Sequence, residues 1–220
     1  MARPAGLLRY HGITLGRGQM KQFVALVALA GTSLVLGQTI TQAERDFAVR
    51  NLQASRKKFL DSIAGLSEAQ WKFKPAPDRW SVAECAEHIA LSELLIMQLV
   101  TEKILKSEPV PRQTPASREA DEALIGKVRD RDTKATAPEF LKPSGKFPDR
   151  GAVVADFNAN RDRTIAFVEK TQDDLRGHSI EHPLLKQLDA YQWILLIAAH
   201  SERHTAQIEE VKATPGFPGR

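Results

Sequence analysis

Apolar residues return at helical spacing in four stretches of the chain. Between residues 41 and 63, Val49, Leu52, Phe59, Leu60 and Ile63 share one face, while Arg45, Arg50, Arg56, Lys57 and Lys58 fall mostly on others. That is the pattern of an amphipathic helix, and Gly65 is placed to end it. A second helix is predicted from Ser81-Val-Ala-Glu84, where the serine oxygen can accept an amide and the glutamate can reach back to the cap. It runs to about residue 106, with His88, Leu91, Leu95 and Leu99 on one stripe. A third covers residues 149–175, its core face carried by Val153, Val154, Phe157, Thr164, Ile165 and Val168. The fourth starts at Asp189, a good N-cap with Gln192 three residues on, and ends near Lys212. No segment alternates with period two over strand length, and no repeat is found.

The connections differ in kind. Trp71-Lys-Phe73-Lys-Pro75-Ala-Pro77-Asp-Arg-Trp80 holds three aromatics and two prolines, so it is a loop whose rings must be buried. Residues 107–148 are polar and punctuated by six prolines, with a short surface helix predicted over 117–131. A connection this long is a crossover, a lid or an excursion. The expected fold is therefore all-α: a four-helix bundle over residues 38–213, crossing over between its second and third helices. A tail follows at 214–220.

Charge changes the picture only at the N-terminus. The net charge of +4 comes from Arg3, Arg9, Arg17 and Lys21, since residues 1–37 hold no acidic side chain. Beyond them, 27 basic residues balance 27 acidic ones, which argues against a nucleic-acid surface. Met20-Lys21-Gln22, the apolar run from Phe23 to Leu36 and Gly37 have the form of a secretory signal with cleavage near Gly37. The expectation is an exported protein, periplasmic or secreted, that starts functionally at Met20 and has no stable membrane span once mature. Cys85, the single cysteine, cannot form an internal disulfide.

The chemistry lies in Ile197-Ala-Ala-His200-Ser-Glu-Arg-His204-Thr-Ala-Gln207-Ile208. Histidines four apart on a helix lie on one face, and this face continues through Trp193, Leu196, Ile197, Gln207, Ile208 and Val211, nearly all apolar. Burying two imidazoles without partners costs about 1–3 kcal/mol each, so a ligand is expected. His88 lies roughly 11 Å from the start of its helix, and His200 and His204 roughly 12–18 Å from the end of theirs. In antiparallel neighbours these levels coincide. Three imidazoles around a divalent ion leave a position open, as catalytic sites do. Zinc, nickel or iron suits the set, with copper also compatible.

The same residues resemble the DinB-like (YfiT-like) metal-binding superfamily. The resemblance rests on Trp80-Ser81-Val82-Ala83-Glu84 leading to Glu87-His88-Ile89, then on Asp189-Ala-Tyr-Gln-Trp193 leading to His200-x-x-x-His204-x-x-Gln207-Ile208. It implies up-down-down-up helix order, a metal on His88, His200 and His204, a possible homodimer, and chemistry on a small-molecule substrate. Its characterised relatives are mainly transferases and isomerases that use low-molecular-weight thiols.

Other residues have blander readings. Glu84 is explained by its cap, with a catalytic role as the alternative. Gln207 is placed at the helix interface, and Cys85 among packed small residues. Glu202 and Arg203 read as a solvated pair, His178 and His182 as turn or rim residues, and Trp71, Phe73 and Trp80 as closing the bundle end. Two functions stay open. One is a metal-dependent transferase or hydrolase; the other is a non-catalytic bundle that binds a ligand or partner and keeps its histidines as internal hydrogen-bonding groups. No phosphate-cradling glycine loop, nucleophile elbow or dinucleotide fingerprint is present.

Overall fold

The structure is a computed structural model that describes residues 39–110 and 116–219. The leader expected over residues 1–37 lies outside them. The described elements are α1 (Gln42–Ile63), α2 (Glu68–Lys72), α3 (Val82–Gln98), α4 (Arg118–Arg129), α5 (Arg150–Lys170), a hairpin of β1 (Ser179–His182) and β2 (Lys186–Asp189), and α6 (Ala190–Lys212). Capping boxes open α1, α2, α3 and α6, through Thr41 with Glu44, Ser67 with Gln70, Ser81 with Glu84, and Asp189 with Gln192. Gly65 follows α1 in the left-handed region at φ +66, as its position in the sequence suggested.

Side chains crossing between helices fix their directions. Tyr191 donates to the Glu44 carbonyl at 2.7 Å, Lys58 pairs with Glu202 at 3.1 Å and Lys212 donates to the Ser62 carbonyl at 3.1 Å. α1 and α6 therefore run parallel. Arg45 donates to the carbonyls of Val168 and Thr171, while Arg150 donates to that of Ile63 at 3.2 Å, so α5 runs against α1. The start of α3 meets His204 through Trp80, and His88 further on reaches His200, so α3 runs against α6. The four long helices make an up-down-down-up bundle, with α3 parallel to α5.

Its interior has three levels. One apolar cluster contains Leu52, Ile96, Val100, Ile165, Val168 and Ile194, and the other contains Phe59, Ile63, Ile89, Val153, Phe157 and Ile208. Between them every long helix contributes a polar residue. Arg161 of α5 is fully buried and donates to both carboxylate oxygens of Glu93 on α3, at 2.6 and 2.7 Å. It also donates to the Leu52 carbonyl, to Ser55 Oγ of α1 at 2.7 Å and to Ser201 Oγ of α6 at 3.0 Å. All five guanidinium N–H groups are thus used.

The structure departs from the sequence pattern in several places. Residues 179–189 form a hairpin where only a turn was expected. Its strands are four residues long, too short for alternation to register, and Ile180 sits opposite Leu188. α2 was not expected either. The third helix stops at Lys170 because Arg45 takes up its terminal carbonyls. The second helix becomes π-helical over Leu99–Ile104. α3 is buried without a break from Cys85 to Glu93, because α5 and α6 pack on it and the crossover covers a further face. The crossover's helix, α4, buries Leu124, Ile125 and Val128 against the bundle and is no mere surface helix.

Candidate metal centre

Two helices carry the histidine cluster. His88 sits in the second turn of α3, and His200 and His204 occupy successive turns of α6. One ring nitrogen from each lies within 4.8 Å of the others, and His88 Nε2 is 3.3 Å from His200 Nε2. His88 and His204 are buried, while His200 keeps part of its surface open. The level expected from helix lengths is the level observed.

The remaining nitrogens decide what the cluster can do. His88 Nδ1 is 2.7 Å from the carbonyl oxygen of Leu141, which can only accept. The proton is therefore on Nδ1, and Nε2 presents a lone pair inward. His204 Nδ1 is 2.9 Å from Gln207 Oε1, an oxygen that also accepts from Arg131 at 3.5 Å. Two rings are thus held by acceptors in the tautomer that frees Nε2, the usual support of a metal-binding imidazole. Burial also keeps the rings neutral. It lowers His88, and together with repulsion from the neighbouring rings it takes His204 down to about 3 and His200 well below the ordinary histidine value. A neutral, convergent nitrogen set fits a divalent cation without having to lose protons.

Around the cluster, Trp80 packs its ring 4.8 Å from His88 and 6.0 Å from His204. It walls the site, beyond the end-closing role expected of it. Trp71 and Phe73 do close the bundle end, where Phe217 of the tail packs edge-on to Phe73 at 5.4 Å. Gln207, placed at the helix interface from the sequence, is the acceptor for His204. The Glu84 carboxylate is occupied by its cap and by Lys74 at 2.8 Å. Cys85 is fully buried among apolar neighbours, with its thiol pushed up to about 12 by burial, so it is no nucleophile.

Glu202 and Arg203 do not form a solvated pair. Glu202 binds Arg129 at 2.7 Å and Lys58, while Arg203 donates to the carbonyls of Val128, Asp130 and Thr133, so both fasten α4 and its exit to α6. His178 Nδ1 donates to the Ser107 carbonyl oxygen at 2.8 Å. His182 stacks 5.1 Å from Trp193, and neither belongs to the cluster. Leu141 and Glu87, which hold the crossover over the site, were missed. The acidic residue beside His88 in Glu87-His88 was the one available signal.

Comparison with known proteins adds the family. A family model described as the DinB superfamily matches residues 51–208. The chain belongs to the DinB superfamily. The matched span begins inside α1 and ends just beyond His204, so it takes in all three histidines. The curated "Uncharacterized protein YuaE" of Bacillus subtilis is 24% identical over 158 residues, covering 72% of this chain and 93% of that protein. The solved structure of YfiT from Bacillus subtilis shares 18% identity and superposes with a TM-score of 0.50, covering 82% of this chain and 92% of YfiT. YfiT is described as "a probable metal-dependent hydrolase with an unusual four-helix bundle topology". At that identity the likeness concerns the fold.

Proposed function

We propose that this DinB-superfamily protein holds a divalent metal ion on His88, His200 and His204 and uses it as a hydrolase or transferase acting on a small molecule. The observation that carries this reading is the convergence of three ring nitrogens within 4.8 Å, with two of the opposite nitrogens engaged by Leu141 and Gln207. The description of YfiT as "a probable metal-dependent hydrolase" supports the same reading. Zinc, nickel or iron suits an all-imidazole donor set.

A cation held there would polarise a carbonyl or acidify a water or thiol that reached its open position. The chain's own residues set the conditions for that chemistry. The imidazoles bring no negative charge and no carboxylate hydrogen-bonds to their rings among the described residues, so the full charge of the cation stays available to an anionic ligand. Trp80 covers one side of the rings and keeps bulk water off that side. The exposed part of His200 marks the approach for substrate. The leader is read as an export signal, which fractionation of cells producing the full chain tests directly.

The deciding experiment is elemental mass spectrometry on the full chain, purified without chelator or nickel resin, beside the His88→Ala, His200→Ala double variant. Near one metal per chain in the parent and none in the variant is the expected result. A parent that stays metal-free in added zinc, nickel and iron overturns the proposal, and the histidines are then core hydrogen-bonding groups.

A further inference from the structure

The crossover returns to the bundle as a strap over α3, and two consecutive side chains of that helix grip it. His88 holds the Leu141 carbonyl. Glu87, itself buried, accepts the backbone amides of Ser144 at 2.8 Å, Gly145 at 3.0 Å and Lys146 at 3.1 Å, and the Ser144 hydroxyl at 3.3 Å. Gly145 takes φ +75, which turns three successive amides toward one carboxylate. The strap residues Ser144, Gly145 and Lys146 are otherwise exposed. Phe147 packs against the apolar core just beyond them, and with so little buried area of their own, residues 144–146 depend on the Glu87 contacts for their place.

We propose that Glu87 is a positioning residue for the metal centre: by pinning residues 144–146 it holds the Leu141 carbonyl against His88 Nδ1, and so fixes the ring that presents Nε2 to the metal. The inference rests on the metal-site reading above and deepens it. Glu87 touches neither metal nor substrate and acts through the strap. Coupling of this kind is reciprocal. A cation drawing on Nε2 makes the Nδ1 proton a stronger donor to Leu141, so metal binding tightens the strap to the same degree that a docked strap tightens metal binding. The strap also carries Phe140, 71% exposed and next in sequence to Leu141, so its docking sets the position of an exposed apolar group.

Two substitutions test this from opposite sides. Glu87→Gln keeps the shape but turns an N–H toward amides that need an acceptor. Gly145→Ala meets no atom within 4 Å and strains only the strap's left-handed turn, leaving α3 untouched. Zinc affinity is measured by competition with a chromophoric chelator, and amide exchange of residues 139–146 is followed by mass spectrometry with and without zinc. Glu87→Gln is expected to weaken zinc binding about tenfold, and Gly145→Ala a few-fold in the same direction. In the parent, zinc slows exchange across 139–146, and Glu87→Gln abolishes that slowing. If the parent binds zinc and both variants bind it within twofold of the parent, with or without a fall in Tm, the positioning role is overturned. If the parent binds no zinc, the same measurements are made with nickel and iron, and a parent that binds none of the three overturns the metal-site reading on which it rests.

Discussion

Consider Glu93→Ala in the middle of the bundle. In the native protein the Arg161 cation has no solvent contact, and its charge is balanced by one bidentate carboxylate at 2.6 and 2.7 Å, both side chains being 0% exposed. Removing Glu93 leaves the guanidinium buried, with Ser55, Ser201 and the Leu52 carbonyl as its remaining partners. None of these carries charge. Breaking a buried pair from one side costs about 3–5 kcal/mol, a large part of the 5–15 kcal/mol that ordinarily holds a domain together. The midpoint of thermal unfolding is expected to fall by roughly 2–4 °C per kcal/mol for a domain of this size, so by about 10 °C.

The pair itself contributes far less than its rupture costs. Replacing both partners by apolar residues of similar volume, as in Glu93→Leu with Arg161→Met, is expected to recover most of the loss. Urea unfolding of the parent, both single variants and the double variant gives the full cycle. A Glu93→Ala loss below about 1 kcal/mol would refute the view of Arg161 as a dry cation balanced by one partner. So would a double variant no better than the worse single one, since that would make the pair a net stabiliser. Because Ser201 adjoins His200, zinc affinity of the double variant also reports whether helix register at the centre depends on the polar layer.

Above the carboxylate range, acid behaviour is set chiefly by the three clustered histidines, with the half-buried His182 lowered in the same direction by burial. Their folded values are lowered, so below the unfolded value of about 6.5 the unfolded chain takes up protons that the folded chain does not. Stability of the metal-free protein is full above that pH and falls on acidification, by about 1.4 kcal/mol per unit for His204 alone down to its folded value near 3. Urea midpoints flat between pH 6.5 and 5 would contradict this; His204→Ala should flatten the slope. Gln207→Leu, which removes the acceptor of the His204 Nδ1 proton, is expected to weaken zinc binding about 10- to 100-fold by chelator competition. Unchanged affinity would show the amide to be a bystander. Cys85→Ala is expected to leave metal content and affinity intact, and the native thiol to resist a chromogenic thiol reagent until urea unfolds the chain, since the side chain is fully buried. Rapid labelling of the folded protein would place Cys85 at an accessible site.

Helix existence and the histidine cluster were legible because both follow from local spacing. Four apolar stripes, the cap sequences at Ser81 and Asp189 and the Gly65 stop marked the long helices, and His200 with His204 share a face in any helix. Their meeting with His88 needed only helix lengths and one antiparallel pairing. What could not be read was held by partners distant in sequence. Arg161 looked like an ordinary charged position on α5, and only Glu93, Ser55, Ser201 and the Leu52 carbonyl make its burial possible. The end of α5 at Lys170 depends on Arg45 more than 120 residues earlier, at separations of 123 and 126. Glu87 and Gln207 were ambiguous for the same reason, because a carboxylate or amide on a helix does not announce which backbone it will bind. The hairpin strands were simply shorter than the pattern that reveals strands.

The position of α6 has a consequence for how the chain reaches this state. Among the described helices it comes last in sequence, and it is the common wall against which α1, α3 and α4 pack. Its contacts with the first two close long loops: Tyr191 reaches Glu44 across 147 residues, and His200 reaches His88 across 112. Such closures are costly in entropy and come late. Until α6 docks, His88 has no second nitrogen to share a cation with, and α1 and α3 expose the faces that α6 will cover. Before docking, α6 carries only the His200 and His204 pair, so the three-nitrogen centre is complete only once α3 meets it. It forms in the same event that completes the bundle, and a chain truncated before residue 190 loses site and fold together.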